Sequence, residues 1–273
     1  TRYESSAASD VYKRQPADHI IEDTNTFINV IDKAKDDVQK GKLITFGITP
    51  SKPETGFGYI ESEKELETSK LKGEKIVKFI EKPDLETAKK LICDKRFVWN
   101  SGIFFFKAEV FLKELIKYKA GIYELCKKSL MSNSLDLDFQ RIEANYFSLC
   151  EEISVDKAIM EKTNLGVVYP LNVGWSDIGS WQSIWEISDK DKAGNSIIGK
   201  VITEKVKNSY LRSENRLIVA LGIEETIVVE TIDAILIAKK DQTQFVKDIV
   251  KKLENDKKPE ANIHKTIYLS LIH

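Results

Sequence analysis

The chain has 273 residues and carries 42 Lys+Arg against 43 Asp+Glu, a formal net charge of −1. With 42% hydrophobic and 31% charged residues it has apolar side chain enough for a real core, which excludes a wholly disordered or collagen-like polymer. The balanced charge leaves no footprint for non-specific nucleic-acid binding, and no apolar run reaches the ~18 residues of a membrane-spanning helix.

At ~100–200 residues per domain, one large or two smaller domains are expected. Three widely spaced cysteines, Cys93, Cys126 and Cys150, form no Cys-x-x-Cys pair, a pattern that fits a reducing, cytoplasmic compartment. Only His19, His264 and His273 supply imidazole. A His-rich zinc centre is therefore not expected, and any metal should be a hard cation held by carboxylates.

The opening TRYESSAASDVYKRQ (1–15) has no apolar periodicity and no signal-peptide core, and it begins at Thr rather than Met. Together with the last residues, 269–273, it reads as a non-native or disordered end. A helix is expected over 24–40, capped by Thr24 or Asn25, with Phe27, Val30, Ile31 and Ala34 at helical spacing. LITFGI (43–48), GFGYI (56–60) and KIVKFIEKP (75–83) read as strands, the last stopping before Pro83. Asp84 should then cap the helix DLETAKKLI. FVWNSGIFFF (97–106) is β-prone through its aromatics, and helices follow at 109–117, at 121–130 and, with Ser154 as cap, at 154–162. LGVVYPL (165–171) is a strand, VGWSDIGSW a turn, and 181–187 a helix. Strands alternating with helices over 20–188 imply an α/β layer architecture. After DKDKAGN (189–195) the pattern changes. SIIGKVI, RLIVAL, TIVVE and AILIA form a train of short strands without helices, expected as a sheet or a coiled solenoid. A helix at 242–253, capped by Asp241, closes it with the stripe Phe245, Val246, Ile249, Val250 and Leu253. The charged run KKLENDKKPE (251–260) reads as a linker. The expected division is therefore a tail at 1–15, an α/β domain at 16–188, a β-rich region with its closing helix at 189–255, and a linker and end at 256–273.

Five segments could carry chemistry. Asp18, in PADH, reads by itself as a helix-capping residue; after a strand it would lie at the carboxyl edge of a sheet, where ligands bind in open α/β folds. Asp177, in VGWSDIGSW, lies between two glycines and either caps a helix or faces a ligand. If Asp18 and Asp177 shared one sheet edge they would form a Mg²⁺ site, since Mg²⁺ takes one or two carboxylates together with phosphate oxygens. Glu81 and Lys82, in FIEKP, put opposite charges at a strand end, either as an exposed ion pair or as contacts for a sugar hydroxyl and a phosphate. Asn100, in WNSG, offers an amide suited to hydroxyls, and Gly102 clears space beside it. PETGFGYI lacks the six-residue dinucleotide spacing, so its glycines mark either a bulge or a close backbone approach to a ligand.

Taken together and in order, PADHII, TPSKPETGFGYIE, FIEKP, WNSGIFFF, SVDKAIMEKT and VGWSDIGSW, then GNSIIG, RLIVALG, ETIVVET and KKDQTQFVKDIVKKL, resemble bacterial mannose-1-phosphate guanylyltransferases over roughly 16–255. The resemblance implies an α/β fold, a nucleotide-diphospho-sugar transferase (Rossmann-like) domain lacking its first βαβ unit, followed by a short β-helix-like region. It implies nucleotidyl transfer from GTP to mannose 1-phosphate, giving GDP-mannose and diphosphate, with Mg²⁺ as cofactor. By resemblance Asp18 and Asp177 bind the metal, Glu81 and Lys82 contact sugar and sugar phosphate, and Asn100, Gly58, Glu54, Gly102 and Gly174 line the sugar site. Asp18, Asp177 and Lys82 form the implied catalytic set. A Gly-rich loop with Arg and Lys precedes this region in the family, and nothing in TRYESSAASDVYKRQ corresponds to it; guanine specificity is therefore not written in this chain. ANIHKTIY resembles the start of a cupin-like phosphomannose isomerase domain, as in the bifunctional type. The resemblance further implies a cytoplasmic protein, a homodimer, and no nucleic-acid or membrane partner. Two alternatives stay open: another sugar-1-phosphate nucleotidyltransferase, or an inactive sugar-phosphate-binding module.

Overall fold

The computed structural model describes residues 11–14, 16, 19–131, 135–136 and 139–258. They fall into two compact units, Thr1–Trp175 and Ser176–His273. No helix among the described residues is long and apolar enough to cross a membrane.

The first unit contains strands β1 (Val11–Arg14) and β2 (Ile20–Ile21), helix α1 (Thr24–Gln39), strands β3 (Leu43–Ile48), β4 (Tyr59–Ser62) and β5 (Glu74–Ile80), helix α2 (Leu85–Leu91), strand β6 (Phe97–Lys107) and helix α3 (Ala108–Ser129). A short hairpin, β7 (Leu135–Asp136) with β8 (Phe139–Gln140), precedes α4 (Ala144–Phe147), a π-helical turn (Asp156–Met160) and β9 (Gly166–Leu171). Six of these strands form one mixed sheet in the order β1-β6-β3-β9-β5-β4, and β4 also pairs with β6. β3 and β9 run parallel in the middle, and β6 is antiparallel to β3.

All six residues of β3 are buried, as expected for a strand covered on both faces. Ile44, Phe46 and Ile48 pack with Phe27, Val30, Ala34 and Val38 of α1, while Leu43 joins Phe104, Phe106 and the π-turn's Ala158, Ile159 and Met160. Tyr169 on β9 ties α1 down by donating to Asp37 Oδ2 at 2.8 Å. Burial, together with that carboxylate, pushes its phenol well above the usual range.

Several local expectations need correction. The cap of α1 is Asp23, whose carboxylate accepts from Thr26 N at 2.9 Å, rather than Thr24 or Asn25. The two helices expected at 109–130 are one run broken at Lys119 (φ −147°, ψ 52°). Val11–Arg14, read as tail, is an edge strand antiparallel to β6, with Val11 opposite Lys107. Short polar edge strands carry little periodic signal, which is why the sequence does not reveal it. Asp84 does cap α2, accepting from Thr87 N at 2.7 Å.

A two-residue strand, β10 (Trp175–Ser176), spans the boundary in the chain, and the second unit continues with α5 (Trp181–Ile187), then β11 (Ser196–Ile198), β12 (Val201–Glu204), β13 (Tyr210–Ser213), β14 (Ile218–Leu221), β15 (Thr226–Glu230) and β16 (Ile235–Lys239). β11, β13 and β15 stack in parallel, as do β12 and β14, so each turn of chain lies on the one before it in a β-solenoid. Val206, Leu211, Ala220 and Val228 fill its interior. The composition boundary at 188/189 is not where the packing divides, because α5 lays Trp181, Ile184 and Trp185 against Tyr210, Ile227 and Val229 of the solenoid. The closing helix starts later than expected. Lys240–Phe245 is a 3₁₀ turn, α6 runs Val246–Asn255, and Asp241 does not cap it. Phe245, Ile249 and Val250, expected to face a core, are exposed.

Candidate functional site

Strand register brings three of the sequence candidates together in the first unit. Tyr59, at the start of β4, lies opposite Ile80 at the end of β5 and opposite Trp99 on β6. The adjacent residues Gly58, just before β4, Glu81, just after β5, and Asn100, within β6, therefore meet. Asn100 N donates to Gly58 O at 2.8 Å. A Cβ added at Gly58 would stand 2.8 Å from Glu81 Oε2 and 3.7 Å from Asn100 Cβ. Glycine is thus needed at 58 so that the Glu81 carboxylate can approach this closely.

Asn100 is aimed by a local irregularity. Between Thr45 opposite Phe104 and Gly47 opposite Asn100 the β3–β6 register shifts, and Gly102 sits inside that bulge at φ +68°. Bulges redirect a side chain without ending a sheet. The Asn100 amide oxygen accepts from Gly102 N (3.2 Å) and from Thr45 Oγ1 (3.1 Å), and its nitrogen donates to Asp156 Oδ1 at 2.7 Å. Asp156 opens the π-turn, whose i→i+5 bond runs from Glu161 N to Asp156 O at 2.9 Å. Sequence reasoning places a helix there and gives Asp156 no role.

Lys82 follows Glu81 with φ +44°, a left-handed conformation uncommon for a non-glycine and contrary to the preference of a residue before proline. Its ammonium lies 3.7 Å from Glu81 Oε1 and is 65% exposed. An ion pair so exposed contributes little to stability, so it does not account for the strained backbone. Glu54 is used within its own turn: Oε1 accepts from Gly56 N at 3.2 Å and Oε2 lies 3.7 Å from Lys52 Nζ. Tyr59 OH donates to Glu54 O at 2.9 Å, and burial raises the Tyr59 phenol, which keeps it a donor.

Phe57, beside Gly58, stands edge-on to Trp99 (5.2 Å between centroids) and to Trp175 (5.4 Å). Trp175 Nε1 donates to His19 Nδ1 at 3.1 Å. In the sequence Phe57 and Trp175 carry no assigned role and the run around Trp99 reads only as β-prone, with no signal for the wall they form. Gly174, at φ +61°, lies against Glu22, whose Cδ would be 2.6 Å from an added Cβ. Asp18 lies outside the described residues.

A model of the nucleotidyl transferase family matches residues 9–194. The chain belongs to that family. A second model, a MannoseP isomerase/GMP-like β-helix domain, matches residues 199–253, where the solenoid lies. Among curated proteins, this nucleotidyl transferase chain is 44% identical over 255 residues to a mannose-1-phosphate guanylyltransferase of Salmonella montevideo, covering 92% of this chain and 54% of that protein. It is 41% identical over 253 residues to a mannose-1-phosphate guanylyltransferase of Escherichia coli K12 (92% and 53%) and 39% identical over 253 residues to the alginate biosynthesis protein AlgA of Pseudomonas aeruginosa (93% and 52%). The chain spans about half the length of the curated relatives it matches. Among solved structures, a Thermus thermophilus protein described as a mannose-1-phosphate geranyltransferase shares the fold, with a TM-score of 0.77 at 23% identity over 90% of this chain and 70% of that one. A mannose-6-phosphate isomerase of Helicobacter pylori matches at TM-score 0.54 and 35% identity, over 61% of this chain and 63% of that one.

Asp177 belongs to the second unit of this nucleotidyl transferase. Its Oδ1 accepts from Gly179 N at 3.1 Å across Ile178, which sits at φ +47°. A β-branched residue in that region is a genuine outlier, of a kind that gathers at ligand sites and costs of order 1–3 kcal/mol. Among the described residues no group of three or more His, Cys, Asp or Glu could hold a metal by itself. A partly exposed, hard-oxygen carboxylate such as Asp177 nevertheless fits the donor chemistry of Mg²⁺, which takes few protein ligands and completes its shell from phosphates and water.

Proposed function

We propose that the chain catalyses, in its full protein, nucleotidyl transfer from GTP to mannose 1-phosphate, yielding GDP-mannose and diphosphate. The observation that carries this reading is the junction of Gly58 before β4, Glu81 and Lys82 after β5, and Asn100 within β6: a hydroxyl acceptor, a hydroxyl donor and a cation gathered around a glycine. The names of the relatives support the choice of sugar and nucleotide.

The Glu81 carboxylate accepts from a sugar hydroxyl, and the Asn100 amide nitrogen donates to another. Lys82, exposed and adjacent, offsets the charge of the sugar phosphate. A phosphate oxygen of mannose 1-phosphate attacks the α-phosphorus of GTP; the new O–P bond forms as the bond to the β-phosphate oxygen breaks, and diphosphate leaves with that electron pair. The attacking oxygen is already anionic, so the protein supplies no base. Its task is to align two anions and keep their charges balanced. Mg²⁺, which the Asp177 carboxylate would help hold, would neutralise phosphate charge when bound. Free thiols at Cys93, Cys126 and Cys150 support a cytoplasmic setting.

The test is a substrate panel with Mg²⁺, pairing mannose, glucose and galactose 1-phosphates with GTP, ATP and UTP while diphosphate release is followed. Clear preference for mannose 1-phosphate with GTP is expected. Preference for another sugar would replace this reading with a different sugar nucleotidyltransferase, and binding of sugar phosphates without turnover would favour the non-catalytic module. In a second arm, Asp177→Asn should lower kcat by about 10²-fold or more, whereas unchanged turnover would remove Asp177 from the metal site.

A further inference from the structure

Two partners of the Asn100 amide have a fixed polarity. Gly102 N can only donate, so it must meet the amide oxygen; an ionised Asp156 can only accept, so it must meet the amide nitrogen. The Thr45 hydroxyl shares its single proton between Asn100 Oδ1 (3.1 Å) and Ile103 O (3.0 Å), so it too meets the amide on its oxygen edge. The oxygen edge of the amide is thereby consumed. Of the two nitrogen protons, one goes to Asp156, and among the described residues the other has no protein acceptor.

We infer that Asp156 is a positioning residue: by accepting one Asn100 N–H it locks the amide so that the second N–H faces the sugar, which makes Asn100 an obligate donor beside the obligate acceptor Glu81. This rests on the reading of the junction as a sugar-phosphate site. Donor and acceptor flank Gly58, so the site is matched to two hydroxyls of one hexose, one accepting from Asn100 and one donating to Glu81. The π-turn is what brings Asp156 there. Its Ala158, Ile159 and Met160 are buried under β3 and β6, while its first residue reaches across to Asn100. A π-turn at a functional position is a recurring association.

Three variants and one spectrum test the inference in the full chain. Asp156→Ala should raise KM for mannose 1-phosphate about tenfold, the effect of one lost oriented hydrogen bond, with little change in kcat at saturation. Asp156→Asn keeps an acceptor oxygen and should stay within about threefold of the parent. The exchange Asn100→Asp with Asp156→Asn restores a hydrogen bond between the two positions but leaves no N–H for the sugar. It should recover thermal stability while KM remains raised. Calorimetric binding of mannose 1-phosphate without GTP repeats the comparison independently of turnover. The Asn100 side-chain NH₂ resonances should move on adding mannose 1-phosphate, and in Asp156→Ala they should shift even before addition. Three results would overturn the inference: Asp156→Ala with unchanged KM and affinity, an exchange variant that regains full affinity, or Asn100 resonances that ignore the sugar phosphate. If mannose 1-phosphate binds as described but no nucleotide is transferred, the proposed reaction fails and the positioning role stands on the binding data.

Discussion

At the scale of residues, the junction depends on one absent side chain. A Cβ at Gly58 would press within 2.8 Å of Glu81 Oε2, so Gly58→Ala must push the carboxylate aside. A displacement near 1 Å at a binding group can cost about 10²-fold, and kcat/KM for mannose 1-phosphate should fall by roughly that much in steady-state kinetics. The thermal midpoint should barely change, because Gly58 is partly exposed and at negative φ. An unaltered kcat/KM would mean that Glu81 does not need its observed place. Gly58, Glu81 and Asn100 are legible in the sequence because each sits in a short motif, the first two flanking strands and Asn100 within β6, and register then places them side by side. Asp156 is not. An Asp early in a helical segment looks like a helix start, and only the fold shows that its partner is an amide 56 positions away. The aromatic wall of Phe57, Trp99 and Trp175 is hidden for a related reason, since the three rings come from separate parts of the chain and only the fold brings them together.

At the scale of elements, irregularities do most of the positioning. The bulge in β6 needs Gly102 at φ +68°. Gly102→Ala should cost about 1–2 kcal/mol, the penalty for an L-residue in the left-handed region, measured by urea unfolding. In the solenoid, Asn195 is 3% exposed, donates to Val206 O at 2.9 Å and accepts from Ser209 N at 3.1 Å. Asn195→Ala leaves both backbone groups unpaired and should cost about 2–3 kcal/mol in the same assay. Glu230 holds a turn of the solenoid: its Oε2 accepts from Glu214, Asn215 and Arg216 N–H groups, and Oε1 pairs with Arg216 at 3.0 Å. The Asn215 N–H first, then those of Arg216 and Glu214, hold its carboxyl below the usual carboxylate range. A carboxyl lowered on folding stabilises above its unfolded pKa, about 4.3, and that contribution is lost as pH falls through the folded value. Glu230→Gln should therefore lower the thermal midpoint most at pH 7, with the gap to the parent closing below about pH 4. A gap that stays constant to pH 3 would contradict this. Long, strongly patterned elements are legible here: β3, β9, α2 and α5 lie where apolar runs and caps put them. β13 is not, because YLRS has no apolar run, and the sequence starts α6 too early, because its 3₁₀ lead-in shares the helical spacing of its neighbours.

At the scale of the whole molecule, the change from α/β alternation to helix-free strands is visible in composition, but the place where packing divides is not. Composition responds to strand and helix content, whereas the division follows α5, whose tryptophans belong to the solenoid. The α/β unit rests on β3 and β9, and Phe46→Ala in its fully buried centre should cost about 3–5 kcal/mol. All of this supports one chemical claim, that a sugar phosphate held at the β4–β5–β6 junction attacks the α-phosphorus of a nucleoside triphosphate. The most direct measurement supplies mannose 1-phosphate with ¹⁸O in its three terminal phosphate oxygens, together with unlabelled GTP and Mg²⁺, and reads both products by mass spectrometry. GDP-mannose carrying all three labelled oxygens and diphosphate carrying none are expected. Label appearing in diphosphate, or no GDP-mannose at all, would contradict the claim.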